Sequence, residues 1–145
     1  MKAVLRRKRV APNQKDGLIV IDEYMSLKKT LVLGASDRPG RYSFLAINRL
    51  RGKGHPVVAI GQRRSKVGDV EIGTEKSAIT DIDTVTLYLN PVRQKEYYDY
   101  ILSLHPKRII FNPGAENREL ATLAQSNGIQ PLEACTLVLL STGQF

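Results

Sequence analysis

The chain is poor in the residues that usually announce chemistry or crosslinking. Among 145 residues there are one cysteine, two histidines and no tryptophan. The single Cys135 excludes an internal disulfide and suits a reducing cytoplasm, where the protein is expected to reside. So few ligating side chains, without metal-ligand spacing, predict no metal site. Long apolar runs are also missing. Nothing approaches the roughly 18 apolar residues of a membrane span, and the basic stretch from Met1 to Arg9 lacks the apolar core of a secretory signal. His55 and His105, each beside a turn, read as surface loop residues rather than acid–base catalysts. Cys135 lies among aliphatic residues and reads as a buried, inert thiol. With no catalytic constellation, binding without catalysis is the expectation.

Acidic residues are scarce, and the 22 Lys and Arg against 14 Asp and Glu leave a net charge of +8. Its location decides what it means. Residues 1–30 hold +5 of that charge, so the remainder is only mildly basic. Residues 1–29 read as a basic extension, the first 16 without periodic apolar pattern and expected to be disordered. Residues 17–22 could add a strand at the sheet edge. The extension reads as an appendage, with an RNA- or partner-binding arm as the alternative; a nucleic-acid partner is not favoured. Tyr97, Tyr98 and Tyr100 lack interleaved basic residues and are expected to pack along a helix, not to stack bases.

From residue 30 onward the pattern changes. Short apolar runs at 30–34, 56–61, 84–89, 107–111 and 129–133 read as buried strands, with residues 70–72 as a short edge strand. Helices are predicted over 42–50, 91–104 and 116–127, with Gly52, Gly54 and Gly128 closing two of them. Residues 134–140 could be strand or short helix. Strands alternating with helices imply parallel pairing and right-handed crossovers, which gives an α/β, three-layer Rossmann-like fold with a mostly parallel sheet over residues 30–145.

Ligands of such sheets bind beyond the carboxyl ends of the strands. Four loops fall there. In Gly34-Ala35-Ser36-Asp37-Arg38-Pro39-Gly40, small residues let backbone approach a ligand, Ser36 offers a hydroxyl, and the following helix start offers N–H groups to a phosphate. The loop is not G-x-G-x-x-G. After the second strand come Gln62, Arg63, Arg64 and Lys66, where a plain NAD site would place an acid; the arginines suit a ribose bearing an extra phosphate. Leu89-Asn90-Pro91 and Asn112-Pro113-Gly114 end two further strands in rigid turns with amides at the sheet rim.

Taken in order, Leu33-Gly34-Ala35-Ser36, Tyr42-Ser43-Phe44, Gly52-Lys53-Gly54-His55-Pro56-Val57, Asp83-Thr84-Val85, Asn112-Pro113-Gly114 and Cys135 resemble the small bacterial CoA-binding domain proteins, related to the CoA-binding domain of the succinyl-CoA synthetase α subunit. The resemblance implies binding of coenzyme A or an acyl-CoA. Gly34, Ala35, Ser36 and Arg38 would contact phosphates; Gln62, Arg63 and Arg64 would face the phosphorylated ribose; Leu89, Asn90, Pro91, Asn112 and Gly114 would line the pantetheine path. The chain departs from the family at Ile60-Gly61-Gln62-Arg63, where Val-Asn-Pro-Lys is common, and at Thr136 to Leu140, where a polar segment often follows the cysteine. The synthetase's phosphohistidine domain has no room here, so ligase activity is not implied. Alternatives are an NADP-type dinucleotide binder or an interaction scaffold with a basic tail. Self-association into a homo-oligomer is compatible with the sequence.

Overall fold

The structure, a computed structural model, describes residues 27–145. The strand proposed at residues 17–22 and the first 26 residues of the extension lie outside the described residues. Seven strands form one sheet: β1 (Thr30–Ala35), β2 (Val57–Gly61), β3 (Ser65–Val67), β4 (Val70–Gly73), β5 (Thr84–Leu87), β6 (Arg108–Phe111) and β7 (Gln130–Glu133), in the order β3-β4-β2-β1-β5-β6-β7. All neighbours are parallel except β3 and β4. The expected three-layer α/β fold is therefore observed.

Alternation along β1 explains the layers. Leu31 and Leu33 point into one core with Ile101, Leu120 and Ala124. Val32 and Ala35 point into the other, with Ile47, Leu50 and Leu140. Helices α1 (Tyr42–Gly52) and α5 (Thr136–Ser141) thus cover one face, and α3 (Tyr98–Leu104) and α4 (Arg118–Ser126) the other. The five short runs are strands, and the central ones are buried on both faces; Leu31, Val32 and Leu33 are all fully buried.

Two expectations change and one open choice is decided. Residues 70–73 are not the sheet edge, because β3 turns back on them through Gly68-Asp69, pairing Val67 with Val70. Gly68 takes a φ of 58° there, and Lys66 on the outer strand is exposed, which discourages further strand addition. The helix over 91–104 is broken into α2 (Pro91–Gln94), a 3-10 turn (Lys95–Tyr97) and α3. The break follows Gln94, whose fully buried amide donates to Leu89 O and Ala115 O, both at 2.8 Å. Residues 136–141 resolve the remaining ambiguity as helix, the Thr136 N–H donating to Asn112 Oδ1 at 2.9 Å.

His55 is a correction of another kind. It is buried, not on the surface, and its Nδ1 accepts the Lys28 N–H at 2.9 Å while its ring meets Phe145 at 5.0 Å. Burial, reinforced by the Lys28 and Arg108 cations, holds its pKa below the ordinary histidine value. His105 is exposed, closing α3 with a φ of 48°. Cys135 is half-buried rather than enclosed, and precedes α5.

Candidate functional site

The order of the sheet sets the site. β2 lies on one side of β1 and β5 on the other, so crossovers leave β1 in opposite directions and a crevice opens at its carboxyl end. A cleft of about 440 Å3 lies there, lined on one side by Gly34, Ala35, Ser36, Asp37, Arg38 and Arg41. Ile60, Gly61, Gln62, Arg63 and Ser65 face them from the β2 end, and Tyr88, Leu89, Arg93 and Tyr97 from the segment after β5. A shallower cleft of about 220 Å3 shares Gly34, Ser36, Arg41, Tyr88 and Leu89 and continues past Tyr42, Asn90, Pro113 and Gly114. The two form one trough. A further cleft, lined by Lys29, Asp81, Asp83, His105 and Lys107 among others, shares no residue with it.

The trough is strongly cationic. Four arginines line its larger part against one carboxylate, Asp37, which Arg63 Nη2 meets at 3.1 Å. The start of α1 adds to this. Arg41 precedes it without a side-chain cap, and no acid occupies its first turn, so the positive end of the helix dipole is not offset from within the helix. Ser36 Oγ accepts the Arg38 N–H at 3.1 Å, which orders the loop and leaves its own O–H free to donate. Oxygen-rich anions fit these donors.

The two glycines in the trough are there for the backbone. Gly34 has a φ of 89°, and a Cβ on it would stand 2.7 Å from Tyr88 O. The expected role, backbone approach to a ligand, is thus preceded by a demand from the neighbouring strand end. A Cβ on Gly61 would stand 2.3 Å from Ala35 O, beside the bulge between Leu33 and Ala35.

Of the residues singled out in the sequence, Gly34, Ala35, Ser36, Arg38, Gln62, Arg63 and Leu89 line the larger cleft, and Asn90 and Gly114 the smaller. Arg64 lines neither; it is exposed and its Nη2 stands 4.0 Å from Glu75. Pro91 begins α2, and Asn90 caps it by accepting the Arg93 N–H at 2.9 Å. Asn112 is spent on the fold: its Nδ2 donates to Thr86 Oγ1 at 2.7 Å and Leu87 O at 2.9 Å, and its Oδ1 receives the Thr136 N–H.

Sequence reasoning missed Arg41, Tyr88, Arg93 and Tyr97. Arg41 and Arg93 carried a signal, each standing at the start of a predicted helix that follows a strand end. Tyr88 did so less clearly, inside an apolar run. Its hydroxyl is buried and has no well-formed hydrogen bond among the described residues; burial pushes its pKa up to about 12, tempered by the neighbouring Thr136 and Thr86 hydroxyls.

Among the described residues no cluster of His, Cys, Asp and Glu could hold a metal, and no helix is long and apolar enough to cross a membrane. No curated protein matches the chain. A solved structure titled as an uncharacterized protein is 49% identical, with a TM-score of 0.81 over 83% of this chain and 99% of the other. A hypothetical protein from Pyrococcus horikoshii OT3 shares the fold at 20% identity, with a TM-score of 0.74 over 95% of this chain and 98% of its own. A protein from Thermus thermophilus does so at 17% identity and a TM-score of 0.72, covering 88% of this chain and 97% of that one. The family model for a CoA binding domain matches residues 28–141, which takes in every strand and helix around the trough. The chain therefore belongs to the CoA-binding domain family.

Proposed function

We propose that the protein binds coenzyme A, or an acyl-CoA, in the trough at the carboxyl ends of β1, β2 and β5, and that it acts as a binding module without chemistry of its own. The observation that carries this reading is the excess of arginine over carboxylate around a capless helix start, at the switch point of a domain in the CoA-binding family. The pyrophosphate lies against Ser36, Arg38, Arg41 and the first N–H groups of α1. The adenosine end lies toward Gln62 and Arg63. The pantetheine arm follows the narrower cleft past Leu89, Asn90 and Gly114, where fewer charges line the wall. Arg64, Pro91 and Asn112 take no part, because they do not line the trough.

Isothermal titration of the full chain tests the reading. Micromolar binding of CoA with no binding of NADP is the expected outcome. Binding of NADP without CoA would replace it with a dinucleotide site. Mass spectrometry of ligand released from the purified protein would then show whether the bound form carries an acyl group.

A further inference from the structure

The family resemblance points to Arg63 and Arg64 for an extra phosphate on the ribose, but the side chains are arranged otherwise. Arg64 leaves the trough for the Glu75 side, and Arg63 faces a counter-charge on the trough's own wall, Asp37 at 3.1 Å. Arg93 is different. It lines the same cleft from the β5 side, and its guanidinium meets a neutral group, the Gln62 amide on the opposite wall. With its oxygen turned toward Arg93, that amide accepts from Nη1 at 2.9 Å and from Nη2 as well. β1 lies between β2 and β5 in the sheet, so this contact spans the carboxyl end of β1, where the trough lies.

We propose that Arg93 reads the second anionic group of the ligand, the ribose phosphate, and that Gln62 holds its guanidinium in place until that phosphate displaces the amide. The inference rests on the reading of the trough as a CoA site. Three features support it. Among the described residues no carboxylate pairs with Arg93, and the group beside it can be exchanged at little cost. Two phosphate oxygens accept from a planar guanidinium in two parallel bonds, where the amide offers both nitrogens one shared oxygen, and they carry charge besides. The arginine is also pre-positioned. Its backbone N–H is held by the Asn90 cap at 2.9 Å, and the next residue, Gln94, is buried and bonded to Leu89, Ala115 and Asn117. A rigidly placed backbone lowers the ordering cost of contact. Arg38 and Arg41, on the other wall, then remain for the pyrophosphate.

The test is isothermal titration of the full chain with CoA and with 3′-dephospho-CoA, comparing wild type with Arg93→Ala, Arg63→Ala and Gln62→Ala. Arg93 and Gln62 are exposed, so thermal unfolding of each variant should match wild type. Wild type is expected to prefer CoA by about 10- to 100-fold, the size of a charge-assisted contact. Arg93→Ala should bring that ratio close to one while leaving dephospho-CoA affinity within about threefold. Arg63→Ala and Gln62→Ala should each keep most of the preference, whatever they cost in affinity for both ligands alike. Equal losses for both ligands in Arg93→Ala, or loss of the preference in Arg63→Ala instead, would overturn the assignment while sparing the CoA reading. Loss of the CoA preference in Gln62→Ala would overturn the placeholder role. No CoA binding by the wild type would remove the reading beneath both.

Discussion

Replacing Asn112 by alanine separates a role in the fold from a role in ligand contact. The side chain makes three hydrogen bonds: two donated by Nδ2, to Thr86 Oγ1 and Leu87 O, and one received by Oδ1 from the Thr136 N–H. It joins the ends of β5 and β6 to the start of α5. The Thr86 hydroxyl keeps its bond to Thr136 Oγ1 at 2.8 Å and loses little. The Leu87 carbonyl and the Thr136 N–H lose a partner in a buried place, at about 1–3 kcal/mol each. A water in the vacated space offsets part of this, which leaves a net destabilisation of about 3 kcal/mol. For a domain of this size that lowers the Tm by roughly 10 °C. Circular dichroism melts and urea titrations measure it, with CoA affinity followed in parallel. A Tm drop under about 3 °C together with a CoA affinity loss beyond about tenfold would refute the reasoning and return Asn112 to the ligand path.

Other substitutions probe the same framework. Gly61→Ala places a methyl 2.3 Å from Ala35 O and 3.0 Å from Ile72 Cγ2, so β1 and β2 must part; a loss of about 2–4 kcal/mol in urea unfolding is expected, and a neutral result would mean that the bulge yields freely. Tyr88→Phe removes a buried hydroxyl with no well-formed hydrogen bond among the described residues, so stability in urea unfolding should hold or rise, and a loss beyond about 1 kcal/mol would reveal a partner. His55 has a lowered pKa in the fold, so below about pH 6.5 the unfolded chain binds a proton that the folded chain resists. Its contribution is intact above that pH and is lost as pH falls toward the lowered value. His55→Asn should therefore flatten stability against pH in that window; parallel profiles for the two proteins would show that His55 does not titrate there.

The sequence alone determined the class of fold and the ends of the strands that matter. Residues 31–33, 59–60 and 109–111 are apolar and buried whichever face they point to, and a strand between two helix layers suits such runs. Ser36 and Arg38 were legible because they follow the first strand and precede a helix. The hairpin of β3 and β4 was written in Val67-Gly68-Asp69-Val70 but lay in a basic stretch too short for a periodic signal. Tertiary structure decided the rest. Whether an amide at a strand end faces ligand or protein depends on what lies across from it, and Asn112 meets Thr86 and Thr136 through crossovers that sequence spacing does not reveal. The charge of an arginine is local, but its availability is not: Arg63 meets Asp37, Arg64 lies on the Glu75 side, and Arg93 meets the Gln62 amide, because parallel pairing brings the ends of β1, β2 and β5 to one rim.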